Sequence, residues 1–189
     1  MRLREAVQEH DGAAGAADGG VQADAPPGGA VSVGGVSLGV GDPVVDLAVL
    51  GPLAAYDAEG TELRLGGPRQ RAVLARLLVA RRQVVPLPRL VADLWDGLAL
   101  PGDPEGAVRT FVAALRRVLE PGRRPRTAAK VLVTEGPGYA LRAAVEDVDA
   151  WRFERAARAE EGAPALVETL EGALALWRGP AYADVATAP

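Results

Sequence analysis

Along the segment Pro104–Leu119, Val108, Phe111, Val112, Leu115, Val118 and Leu119 recur at three- and four-residue steps. That spacing predicts a helix with one buried apolar stripe. The opposite side then carries Arg109, Thr110, Ala113, Arg116 and Arg117. Guanidinium forks match guanine edges and phosphate oxygens, and a threonine methyl suits a thymine methyl. Arg116 and Arg117 lie near the helix end, where phosphate contact is expected rather than base reading. On an arbitrary helix, such arginines are most simply a solvated face. The charge distribution and the order of elements around this helix favour the binding of an anionic polymer.

Other chemistry is thinly provided for. The 189 residues contain no cysteine, which removes disulfides, thiolate nucleophiles and the usual structural zinc sites. The single histidine, His10, lies in a Gly/Ala-rich leader, and the single lysine, Lys130, has no phosphate-cradling loop around it. A Ser-His-Asp triad cannot be assembled, and Asp93 with Asp96 reads as a solvated helix end. A binding protein without enzymatic activity or cofactor is expected. No run of about 18 apolar residues suggests a membrane span, and the charged start lacks a signal peptide's apolar stretch. Cytoplasmic location is the expectation.

The net charge of −4 hides three unequal blocks. Residues 1–43 hold two arginines against six acids, residues 44–142 hold fifteen basic residues against ten acids, and residues 143–189 hold four against nine. A basic middle between acidic neighbours points to an anionic partner for the middle. Residues 1–43, mostly Gly, Ala, Asp and Val without period, read as a disordered leader.

The elements that must position the arginines follow from the pattern. Val44–Tyr56 alternates as a strand that ends at Gly51-Pro52 and resumes, and Thr61–Leu65 alternates as a returning strand. Pro68 stands where a first helical residue belongs, and Arg69–Ala80 places Val73, Leu74, Leu77 and Leu78 on one face. Val84–Pro86 is a strand fragment. Pro88 opens a second helix through Trp95, with Leu90, Val91, Leu94 and Trp95 inward. The loop 96–103 separates it from the helix 104–119, which Pro121-Gly122 ends. Val131–Thr134 and Tyr139–Arg142 then flank a glycine-rich hairpin tip. This order describes an α+β fold: a winged helix-turn-helix, with the third helix as reader and the hairpin as wing. Arg69, Arg71 and Arg89 could clamp the backbone beside the groove. Arg123, with Arg124, Arg126 and Lys130, extends the positive surface, and Gly138 belongs to the tip that would enter the minor groove. Solvation is an equal reading for Arg76, Arg81 and Arg82, and core packing is the better one for Tyr139. Asp149–Glu161 and Pro164–Trp177 read as two amphipathic helices, the second with a stripe of Leu166, Leu170, Leu174 and Trp177. Trp151, Phe153 and Trp177 read as packing residues.

The segments LGPLAAY, LGGPRQRAVLARLLVARRQVVP, LVADLW, VRTFVAALRRVLEP and TEGPGYALR resemble, in order and spacing, the OmpR/PhoB-type winged helix of SARP/AfsR regulators. VDAWRFERAARAEE and ALVETLEGALALWRGPAYADV resemble the opening of the bacterial transcriptional activation domain that follows it in that class. The resemblance runs from about Val45 to Val185. It implies, after the leader at 1–43, a DNA-binding domain at 44–143 and a shortened, helical, TPR-like activation domain at 144–189. It implies promoter repeats in double-stranded DNA as the target and contact with RNA polymerase through loop 96–103. Homo-oligomerisation is left open, and no membrane partner is implied.

Two departures from the family pattern bear on affinity. The reading helix has Ala113-Ala114 where relatives commonly carry a polar residue and an arginine, and the hairpin has Glu135 where they commonly carry an arginine. Alanines offer no base-edge hydrogen bonds, and a carboxylate repels phosphate. Weak or relaxed, strongly salt-dependent DNA binding is expected. The alternative is a degenerate interaction module that pairs with a full-length regulator or with polymerase and reads DNA poorly.

Overall fold

The computed structural model describes residues 45–158 and 166–185. The expected leader lies outside the described residues, as does the end of the first C-terminal helix beyond Arg158. Strand β1 (Asp46–Ala48) pairs antiparallel with β2 (Ala54–Tyr56), Leu47 opposite Ala55. The Gly51-Pro52 break is therefore a chain reversal, and the two halves of the alternating run face each other. The expected returning strand at 61–65 reduces to a single bridge between Glu62 and Tyr56, although Leu65 is buried. A turn at 57–60, closed by Asp57, leads into it; Leu63 N–H still donates to the Ala55 carbonyl at 2.7 Å, while Glu62 and Arg64 are exposed.

Helix α1 (Pro68–Val79) starts with proline at its first position, where the missing N–H has no intrahelical role. The Gln70 side chain accepts the Gly67 N–H at 2.9 Å. Val73, Leu74, Leu77 and Leu78 are buried. Two-residue strand β3 (Val85–Pro86) leads into helix α2 (Leu87–Leu94), which opens one residue before the expected proline. Leu87, Leu90 and Trp95 are buried, while Val91 and Leu94 pack partly buried against the core.

Helix α3 (Pro104–Leu119) has the expected bounds. Asp103 caps it, its carboxylate accepting the Gly106 N–H at 2.8 Å, a bond that satisfies one of the four free donors of a helix start. Val108, Val112, Leu115 and Leu119 are buried, with Phe111 and Val118 packed against the same core. Both α1 and α2 pack on α3.

Strands β4 (Leu132–Glu135) and β5 (Gly138–Leu141) form a hairpin, and β3 adds to its other side in the order β3-β5-β4. Gly136 has φ +53° and precedes Pro137, so the two-residue turn puts glycine where a left-handed residue is required. Gly138 is not at the tip. It is buried in β5, and a Cβ there would stand 2.1 Å from the Val85 carbonyl oxygen.

Helices α4 (Asp149–Ala157) and α5 (Leu166–Leu174) pack on each other, and α4 also packs on β1. Trp151 is buried, and Phe153 meets Trp177 edge-on at 5.7 Å. Of the expected stripe of α5, Leu166 is half-buried and the other three residues face outward. Ala173 is its buried residue, while Leu170, Leu174 and Trp177 are 36%, 61% and 45% exposed. Among the described residues α4 is its packing neighbour; the helix covers its small-residue side there and leaves much of the larger apolar side exposed. The segment after α5 returns to the first hairpin: Tyr182 N–H donates to the Val49 carbonyl at 3.0 Å, and Leu53 N–H donates to Asp184 at 2.7 Å. No helix among the described residues is long and apolar enough to cross a membrane.

Candidate functional site

The outward side of α3 gathers Arg109, Thr110, Ala113 and Arg117, all exposed. Asp103 and Pro104 start the helix and the apolar stripe fixes its rotation, so these four residues turn away from the core. Arg109 pairs with Glu105 at 2.7 Å, one turn earlier on the same face. Glutamate preceding arginine by four residues is the favourable orientation along a helix. The Thr110 hydroxyl donates to the Gly106 carbonyl at 2.9 Å, so it is engaged within the helix. Ala114, beside Ala113, is half-buried.

Arg116 stands apart from its neighbours. Its Nε donates to the Leu132 carbonyl at 2.7 Å, its terminal nitrogen donates to the Thr134 hydroxyl at 2.8 Å, and its guanidinium lies 5.6 Å from the centre of the Tyr139 ring. Burial lowers its pKa from the ordinary guanidinium value. Tyr139 is buried, in agreement with the packing reading.

The flanking arginines are engaged with the protein. Arg69 lies over the Trp95 ring at 5.2 Å. Arg89 pairs with Asp93 at 2.8 Å, and Arg76 reaches the same carboxylate at 2.6 Å. Asp93 is therefore a bridge between α1 and α2, not a solvated helix end. Burial raises its pKa, but the two guanidinium partners outweigh that and hold it below the ordinary carboxylate range. Arg69, Arg76 and Asp93 line a groove of ≈ 330 Å³ that Tyr182 and Val185 also border. Arg71 is turned inward, bonded through Nε to Asp184 at 2.6 Å and through its terminal nitrogen to the Leu53 carbonyl. A clamp on an external backbone would have to break both bonds.

In the connector after α3, Arg123 donates to the Thr127 carbonyl at 2.7 Å and pairs with Glu120 at 3.4 Å. Glu120 is buried and accepts the N–H groups of Lys130 and Val131 at 2.9 and 2.6 Å. Glu135, the hairpin carboxylate expected to repel phosphate, is paired with Arg142. In loop 96–103, Leu98 and Leu100 are exposed.

Three acids that organise this arrangement, Glu120, Asp149 and Asp184, did not stand out in the sequence. Glu120 accepts the N–H groups of Lys130 and Val131, Asp149 those of Val49 and Leu50, and Asp184 that of Leu53; only Asp149, an acid at the start of an amphipathic segment, carries a local hint. Among the described residues no group of three or more His, Cys, Asp or Glu side chains could hold a metal ion.

Comparison with known proteins agrees with the sequence resemblance. Residues 148–189 match the family model "Bacterial transcriptional activator domain". The chain is 38% identical over 149 residues to "Transcriptional regulatory protein MoaR1" of Mycobacterium tuberculosis, covering 75% of this chain and 46% of that protein. It is 38% identical over 144 residues to "Regulatory protein AfsR" of Streptomyces coelicolor, covering 72% of this chain and 14% of that protein. The structure of Mycobacterium tuberculosis EmbR, solved in complex with a low-affinity phosphopeptide, superposes with a TM-score of 0.65 at 32% identity, covering 77% of this chain and 39% of that one. The chain thus spans less than half the length of each of these relatives. The mixed α/β architecture is similar to that of EmbR.

Proposed function

We propose, from the premise that this is a SARP/AfsR-type chain, that it acts as a DNA-binding transcription regulator without enzymatic activity. In this reading residues 44–143 work as a winged helix-turn-helix, with α3 in the major groove and the β4–β5 hairpin as the wing. Residues 144–189 open a helical, TPR-like activation domain. Arg109 and Thr110 face base edges, Ala113 lies close against the groove floor, and Arg117 meets phosphate. Arg69, Arg89 and Arg123 supply flanking positive potential, each shared with an internal partner. Leu98 and Leu100 of loop 96–103 offer RNA polymerase an apolar contact, and tandem copies on promoter repeats account for any self-association.

The observation that carries the reading is the division of α3. Val108, Val112, Leu115 and Leu119 are buried on one side, and Arg109, Thr110, Ala113 and Arg117 are exposed on the other. Fluorescence anisotropy with duplexes selected from a random pool tests it. Binding should weaken steeply between about 50 and about 200 mM salt, because each phosphate neutralised contributes about 0.9 to the log–log slope. Arg109→Ala should lose about tenfold in affinity and relax the preference at one base position, as one lost base contact of about 1–3 kcal/mol requires. Failure to select any duplex at low salt overturns the reading.

A further inference from the structure

We propose that Arg116 is a positioning residue that sets the angle of the hairpin against the reading helix, rather than a phosphate ligand. The inference rests on the DNA-reading role proposed for α3. β4 is an edge strand, and an edge strand presents unpaired carbonyls along its outer side. Arg116 reaches across from α3 and donates Nε to one of them, the Leu132 carbonyl, at 2.7 Å. Two residues along the same strand it donates its terminal nitrogen to the Thr134 hydroxyl at 2.8 Å. Thr134 pairs with Tyr139 in the register of the hairpin, and the Arg116 guanidinium lies 5.6 Å from that ring's centre. Tyr139 in turn pairs with Val85 of β3. One side chain therefore touches both strands of the hairpin, and through Tyr139 the third strand of the sheet.

The chemistry of this contact is particular to arginine. A planar guanidinium can donate in two fixed directions while its face lies against an aromatic ring, whereas a lysine ammonium is a single mobile point charge. Among the described residues Arg117, the next along, makes no such contact, and it is exposed. Of the two adjacent arginines, one holds the wing and the other is left for the duplex. The spacing between helix and hairpin contacts on DNA then depends on Arg116 without Arg116 meeting a phosphate.

The test compares Arg116→Lys, Arg116→Gln, Thr134→Val and Arg117→Gln with the unmodified chain, by anisotropy across the salt range above and by hydrogen exchange of the free protein. Arg116→Lys should lose roughly as much affinity as Arg116→Gln, on the order of tenfold, because Lys keeps the charge but not the fork. Thr134→Val removes no charge, so its affinity should fall while its salt slope stays unchanged. Arg117→Gln should lower the slope by about 0.9, as a lost phosphate contact does. In the free protein, exchange in residues 132–141 should quicken in Arg116→Lys and Thr134→Val, while the core amides of α3 keep their protection. An Arg116→Lys variant that binds as the unmodified chain does, together with an Arg116→Gln slope reduced by about 0.9, makes Arg116 a phosphate ligand and overturns the proposal. If the unmodified chain binds no duplex, the DNA-reading role fails, and the exchange measurement alone decides the positioning role. Unchanged exchange of residues 132–141 in both variants then overturns it.

Discussion

The carboxylate of Asp149, at the start of α4, accepts the backbone N–H of Val49 at 2.8 and 2.9 Å and that of Leu50 at 2.9 Å, across 100 residues of chain. Asp149 is 2% exposed. A buried carboxylate is tolerated only where donors surround it, and here the donors are amides just after β1 that would otherwise lack partners. Within β1, Leu47 N–H also donates to the Asp147 carbonyl at 2.7 Å, so the residues that lead into α4 and the first residue of α4 both bond the first strand and its exit.

Replacing Asp149 by alanine should destabilise the protein by about 2–4 kcal/mol, because buried N–H groups lose their acceptor. Asp149→Asn, which keeps one carbonyl oxygen, should cost less. Urea unfolding followed by circular dichroism measures both. An Asp149→Ala loss below about 0.5 kcal/mol, the level of a surface substitution, would show that the contact contributes nothing.

Acid should weaken the fold through Asp184 and Asp93. Burial raises the pKa of Asp184, but the Leu53 N–H and Arg71 outweigh it and hold the group below the usual carboxylate value; Arg76 and Arg89 do the same for Asp93. A depressed folded-state pKa means stability that is complete above the unfolded-state pKa and is lost as pH falls through the folded one. The melting temperature should therefore drop below about pH 4, and Asp184→Asn should be less stable at neutral pH but flatter on the acid side. At the alkaline end, burial pushes Tyr182 up to about 12, with the charge of Asp149 adding to the effect. Its contribution is full below the unfolded-state pKa and is lost as pH rises through the folded one, so Tyr182→Phe should flatten the decline there. Melting curves across pH that superpose for unmodified and Asp184→Asn chains would contradict the acid assignment.

Gly138→Ala should cost about 1–3 kcal/mol, the range for overpacking a close contact. The added methyl would meet the backbone of Val85 and Pro86, which cannot withdraw without breaking the β3–β5 pairing. Gly122→Ala, where nothing lies within 4 Å of the new Cβ, is the control and should unfold with the unmodified chain. Equal midpoints for the two variants would mean that the sheet yields easily.

Carboxylates beside the proposed interface should restrain binding. Glu105 engages Arg109, and Glu135 engages Arg142. Both pairs are largely exposed, so releasing them costs little stability. Glu105→Gln and Glu135→Gln should each tighten duplex binding roughly threefold at low salt, with the gain shrinking as salt screens the charge. Weaker binding in Glu105→Gln would mean that Glu105 orders Arg109 for the duplex instead of competing with it.

The helices, the hairpin and the buried side of α3 were legible in the residue pattern alone. Those features rest on local rules: apolar residues every three or four positions, proline at a first helical position, and glycine before proline in a two-residue turn. The inward turn of Arg71 to Asp184, the bonding of Arg116 to the hairpin, and the exposure of the Leu170–Leu174 side of α5 among the described residues became visible with the packed chain. A cation's role depends on which carboxylate or carbonyl comes within about 3 Å of it, and here those partners are 16 residues away for Arg116 and 113 for Arg71. Periodicity identifies an apolar side, but whether that side is covered depends on how many neighbours pack against the helix, and α5 packs against α4.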